Sequence, residues 1–184
     1  MRHERAGGVV TTTDLLLDAV RTATGTPGIT YASDPAPLTG GFHAEMYRVS
    51  FAGAPAGLDG PLVARISPEP WTARRDAAVQ SAVADLGFPT AAVRLSMDDD
   101  CAVGRAVTLM DKLPGSPMLG DLDDLPGPIG LVWLGRRLPR TLASLAAELH
   151  SLDPDAVRSA GGRPGRAGRR DRRASGCRAT GPSA

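Results

Sequence analysis

The sequence predicts an α+β fold: a five-stranded antiparallel sheet with one helix between its third and fourth strands, followed by a linker and further helices. Three observations carry that prediction. Short apolar segments between Ile29 and Met110 alternate in character and are separated by Gly- and Pro-rich turns, as strands are. One stretch among them, Thr72 to Leu86, has helical spacing and stops at Gly87, with Pro89 just beyond. Finally, Ser159 to Ala184 contains no Val, Ile, Leu, Met, Phe, Tyr or Trp. Such a segment has no apolar surface to offset an ordering cost of about 1–2 kcal/mol per residue, so a disordered tail is predicted.

The elements follow in order. Met1 to Val10 reads as frayed, and Thr13 or Asp14 caps a helix to about Thr22 with Leu16, Leu17 and Val20 on one face. Gly25 to Gly28 closes it. Strands are expected at Ile29–Ala32, Met46–Phe51 and Leu62–Ile66, with Ala52 to Pro61 as a hairpin connection. Pro68-Glu69-Pro70 breaks the chain before the helix, whose expected buried positions are Ala77, Val79, Val83 and Leu86. Strands Ala92–Leu95 and Ala106–Met110 flank the acidic turn Asp98-Asp99-Asp100, and Leu113 to Pro117 is a linker signal. Helices are then expected at Gly130–Arg137 and Arg140–Leu152. In the second, Leu142, Leu145, Ala146, Leu149 and Leu152 form one apolar stripe. Four units result: a helical extension (1–28), the sheet unit (29–110), the linker with incomplete helical unit (111–158) and the tail (159–184).

A hydrophobic fraction of 42% in 184 residues suits a globular chain. The net charge of +1 conceals an uneven distribution. Seven Arg against Asp171 give the tail +6, and the remaining 14 basic and 19 acidic residues give the body −5. A basic arm for nucleic acid, an ordinary disordered extension and an out-of-frame reading of GC-rich DNA all fit this tail. Lys112 is the only lysine among 21 basic residues, which favours the third explanation and disfavours a nucleic-acid partner. Cys101 and Cys177 make neither a disulfide framework nor a metal set. Leu15-Leu16-Leu17 is too short for a membrane span or a signal core, so a cytoplasmic protein without a membrane partner is expected.

A five-stranded antiparallel sheet carrying one helix after its third strand is the small lobe of a protein-kinase-like fold. That placement gives two features a meaning. Gly40 and Gly41 lie between the first two strands, where backbone amides approach phosphate oxygens only if no Cβ intervenes. Arg65 ends the third strand, and Asp76 lies early in the following helix. In kinase-like enzymes a cation and an acid at these places pair, and the cation holds nucleotide phosphates. Arg and Asp here depart from the usual Lys and Glu. Arg is longer, Asp shorter, and the planar guanidinium fork suits phosphate oxygens.

Taken together, LTGGFHAEMYRV, PLVARISPEP, RRDAAVQSAVADLGFPTAAV, VTLMDKLPGSPM and LASLAAELHSLDP resemble the aminoglycoside phosphotransferase family over about residues 30–155. The resemblance implies ATP-dependent transfer of a phosphoryl group to a small-molecule hydroxyl, with Mg²⁺ as the accompanying ion. By position it implies that Gly40 and Gly41 cover the phosphates, that Arg65 contacts them and that Asp76 holds Arg65. Val63 then lines the adenine slot, Met110 stands near the gatekeeper, and backbone groups of Asp111, Lys112 and Leu113 form the nucleotide hinge. His43-Ala44 replaces the Ser-Asn pair common in the family's glycine loop. His150 matches a structural Leu-His of the family's helix, not its catalytic His.

The family's catalytic loop, His-Gly-Asp followed by Asn, and its second metal-binding Asp are missing from the 184 residues. Asp98 to Asp100, Asp121, Asp123 and Asp124 fall in a turn and a loop where solvated acids are expected, and no metal site is assigned to them. Base and metal ligands are lost together, and losing general-base help alone typically costs about 10²–10⁴ in rate. The expectation is a truncated phosphotransferase, inactive by itself, with no catalytic residue assigned and the acceptor unidentified. Two alternatives stand beside it: a nucleotide-binding pseudokinase or regulatory module with a basic partner-binding tail, and one half of a split enzyme.

Overall fold

The computed structural model describes residues 10–38, 43–115, 128–160 and 179–180. Helix α1 (Thr12–Thr24) begins at a capping box. Thr11 accepts a hydrogen bond from the Asp14 amide on Oγ1, while the Thr11 amide donates to the Asp14 carboxylate at 2.9 Å. The cap is therefore Thr11; Thr13 and Asp14, the expected caps, lie inside the first turn. The helix ends where Gly25 takes a left-handed φ of 64°.

Four strands follow: β1 (Thr30–Tyr31), β2 (Ala36–Pro37), β3 (Glu45–Val49) and β4 (Phe51–Ala52). Here the sequence reading needs correction. The expected strand Met46–Phe51 is interrupted at Ser50, and its two parts have different partners. β1 pairs with β4 in a separate two-stranded ribbon, whereas β2 pairs with β3 as an edge of the main sheet. The Ala32 amide bonds the Ser50 carbonyl at 2.8 Å, bridging the two pairings. Pro37 is tolerated because an edge strand leaves one side of its backbone unpaired.

The main sheet adds β5 (Leu62–Ser67), β6 (Val93–Met97), β7 (Ala106–Asp111) and β8 (Ala179–Thr180), in the spatial order β2-β3-β5-β7-β6-β8 with every pair antiparallel. Among the described residues this makes six strands, where five were expected. Two of the six were not expected, β2 and β8, while the expected first strand lies outside this sheet as β1 of the ribbon; β8 comes from the segment expected to be disordered, and it pairs Ala179 with Met97 and Thr180 with Ser96.

β5 and β6 both run antiparallel to β7, so they run parallel to each other and need a crossover. Helix α2 (Pro70–Asp85) supplies it. It starts at Pro70 rather than Thr72, because proline's missing N–H is harmless in a first turn. It ends in a Schellman arrangement: the Phe88 amide reaches the Val83 carbonyl, the Gly87 amide reaches Ala84, and Gly87 has φ 87°. Its buried residues are Ala73, Ala77, Ala82 and Val83. Of the expected positions, Val79 is half-buried and Leu86 is exposed.

The two faces of β5 differ, as strand alternation requires. Leu62, Ala64 and Ile66 join Val107, Leu109, Val49, Phe51, Leu95 and Met97 in one apolar cluster, which Leu16, Ala19 and Val20 of α1 complete. The N-terminal helix is thus part of the core. Val63, Arg65 and Ser67 occupy the opposite face, under α2.

After the sheet, α3 (Pro128–Ser151) and α4 (Pro154–Ala160) follow. The two expected helices are one: α3 runs through Pro139. α4 packs on α2, and its last residues, Ser159 and Ala160, belong to the segment expected to be disordered. Among the described residues, no helix is long and apolar enough to cross a membrane.

Candidate functional site

A cleft of about 470 Å³ opens where β5 meets the start of α2. Arg65 and Ser67 reach it from alternate positions of β5. Glu69, the residue before α2, and Thr72 and Asp76 of that helix reach it from one side, being three, four and seven residues apart. His43 and Ala44 close it from the chain just before β3. The Thr72 hydroxyl donates to the Glu69 carboxylate at 3.0 Å, which fixes the rim at the helix start.

Arg65 is the feature that stands out. Its Nε and Nη2 are buried and have no hydrogen-bond partner among the described residues. Buried polar groups in folded proteins are nearly always paired, and an unsatisfied one costs about 1–3 kcal/mol, more when charged. Asp76 lines the same cleft, is exposed, and forms no ion pair with Arg65. The two residues singled out by sequence are thus brought together in one cleft, unbonded.

Of the remaining sequence candidates, Gly40 and Gly41 lie outside the described residues. Val63 and Met110 are buried and pair across β5 and β7. The Gln80 amide of α2 sits 3.6 Å from the Met110 sulfur and donates to the Ala91 carbonyl at 2.7 Å, tying helix to sheet. In the linker, the Asp111 amide donates to Ala92 and the Lys112 amide to Pro61. Leu113 is half-exposed. The Asp111 carboxylate is held by a two-pronged bond from Arg94, at 2.7 and 2.6 Å. That bond raises the Arg94 guanidinium above its ordinary range. Arg94 occupies the bulge between Val93 and Leu95, which turns its side chain towards the end of β7.

Sequence reasoning passed over Ser67, Glu69, Thr72 and Arg94. Glu69 was readable as a helix cap, since Pro70 follows it at the first helical position. Arg94 carried no local signal, because its partner lies 17 residues on.

Opposite the cleft, Arg105 donates to the Glu45 carboxylate at 2.7 Å and holds it below the usual carboxylate range. Asp98 of the acidic turn pairs with Arg74 of α2 at 3.1 Å. His150 is exposed in the last turn of α3. Among the described residues no three His, Cys, Asp or Glu side chains gather as a metal group. Comparison with protein-family models, with curated proteins and with solved structures finds no match.

Proposed function

We propose that this chain grips the phosphates of a nucleoside triphosphate, ATP in the first instance, as the small lobe of an aminoglycoside-phosphotransferase-type kinase does. It does so without transferring the phosphoryl group unaided. The observation that carries the reading is the unpaired guanidinium of Arg65 at the cleft between β5 and α2. A fixed, partly dehydrated fork of N–H donors matches phosphate oxygens two at a time, and such charge-assisted bonds are about twice as strong as neutral ones. The phosphate replaces the missing partners and removes the cost of leaving them unmade. The helix between β5 and β6, with Asp76 on its cleft side, supports the same reading.

In this reading Arg65 orients the phosphates, and Asp76 limits the guanidinium's swing. The amides of Asp111 and Lys112 are already spent within the fold. A base held at the linker therefore takes its donor from Leu113. Magnesium supplies neutralisation of phosphate charge when it is bound. Glu69 and Asp76 alone, with no third ligand among the described residues, do not make a resident site for it. The absence of a His-Gly-Asp sequence from all 184 residues is why binding, not turnover, is proposed.

Calorimetric titration of the full chain with ATP, and with inorganic tripolyphosphate, tests this. Both are expected to bind, and Arg65→Met is expected to weaken both about tenfold or more. Equal binding by the variant overturns the reading. So does unaided phosphorylation of an alcohol at about 1–100 s⁻¹, the ordinary kinase range.

A further inference from the structure

Arg94 is placed by an irregularity. β6 pairs Val93 with Met110 and Leu95 with Leu109, so Arg94 is the extra residue of a bulge, and a bulge re-aims a side chain. Its fork closes on the Asp111 carboxylate at 2.7 and 2.6 Å. The two side chains are 38% and 33% exposed. An ion pair so open to water adds little stability, but two parallel bonds from a planar fork fix direction. The effect of the pair is therefore positional. What it positions is the start of the linker. The Asp111 amide donates to the Ala92 carbonyl at 2.9 Å and the Lys112 amide to the Pro61 carbonyl at 3.0 Å. Ala92 precedes β6 and Pro61 precedes β5, so the linker is tied to both neighbours of β7. Leu113 comes next and is 51% exposed. Pro114 follows it and confines its backbone to extended conformations. Leu113 is thus constrained from both sides.

We propose that Arg94 is a positioning residue for the nucleobase: by clamping Asp111 it sets where the linker presents the Leu113 amide. The inference rests on the phosphate reading above and adds to it a separate control of base binding. Arg65 stands opposite Thr108 on β7, three residues before Asp111 and so ~10 Å away along the strand. The phosphate end and the base end are held by different residues, and Arg94 does not line the cleft. Loss of Arg94 leaves the phosphate contacts in place and loosens the base.

Calorimetric titration of the full chain with ATP and with inorganic tripolyphosphate separates the two ends. Arg94→Met is expected to weaken ATP about fivefold or more while tripolyphosphate stays within about twofold. Asp111→Asn reproduces this, and the double variant binds ATP no more weakly than either single one, since the two side chains act as a unit. In the ligand-free chain, amide hydrogen exchange at Lys112 and Leu113 is expected to quicken about tenfold in Arg94→Met, with Val107 to Leu109 unchanged. ATP and tripolyphosphate weakening together, or linker amides exchanging at the wild-type rate, overturn the positioning role. A wild-type chain that binds neither ligand overturns the phosphate reading and this inference with it. A wild-type chain that binds both, with ATP indifferent to Arg94→Met, leaves the phosphate reading standing and overturns the clamp alone.

Discussion

The two faces of the sheet are built on opposite terms. On the α1 side, Leu62, Ala64, Ile66, Val107 and Leu109 meet Leu16, Ala19 and Val20, all apolar and all buried. On the α2 side, the helix offers mainly alanine, the sheet contributes the buried Thr108, and Arg65 is left with two unpartnered nitrogens. Alanine lets a helix approach closely but removes little apolar area from water, at roughly 25 cal/mol per Å². The first face therefore supplies stability. The second tolerates an open cleft and an unmet cation, the condition in which a ligand gains most from binding.

The comparison can be broken most directly on the α1 side. Leu109→Ala empties a fully buried position and is expected to lower unfolding free energy by about 3 kcal/mol in urea denaturation. A loss under about 1 kcal/mol would mean that this face is not the core. On the α2 side the sign reverses: Arg65→Met should raise stability by about 1 kcal/mol while weakening tripolyphosphate binding, since an apolar side chain replaces an unsatisfied charge. Stability and binding falling together would assign Arg65 a structural part only.

Smaller effects sharpen the α1 side. Thr11→Ala removes the capping box and should cost about 1 kcal/mol, read as an earlier thermal midpoint. Tyr31 stacks on Phe51 and donates to the Thr13 carbonyl at 2.7 Å. Burial, first, and the nearby Asp14 charge hold its phenol above the ordinary 10.0. A folded-state value raised above the unfolded one means a contribution intact below pH 10 and lost as pH rises towards the folded value. Alkaline unfolding should therefore steepen above pH 10, and Tyr31→Phe should flatten that limb. An unchanged limb in the variant would remove Tyr31 as its cause.

Much of the fold was legible because its signals are local. Gly25 and Gly87 mark both helix ends, since a left-handed residue there is cheapest as glycine. The short, mostly apolar LVARI reads as a strand with Arg65 near its end, and helical spacing places Asp76 on the following element. What went astray depended on partners distant in sequence. Ser50 divides a strand that reads as continuous, because β1 and β2 claim its halves. Pro139 reads as a boundary, yet α3 continues through it. β8 contains only Ala179 and Thr180, and its strand character comes from the free edge of β6.

The sequence by itself determined where helices cap and stop, which strand positions share a face, and that a cation and an acid fall on successive elements. Those are matters of backbone dihedrals and side-chain period, which neighbouring residues set. Only the tertiary structure decided that α1 closes the core, that Arg94 clamps Asp111, and that two nitrogens of Arg65 are buried without a partner among the described residues. Each depends on which groups remain unpaired once the whole chain has packed, and no local pattern encodes that remainder.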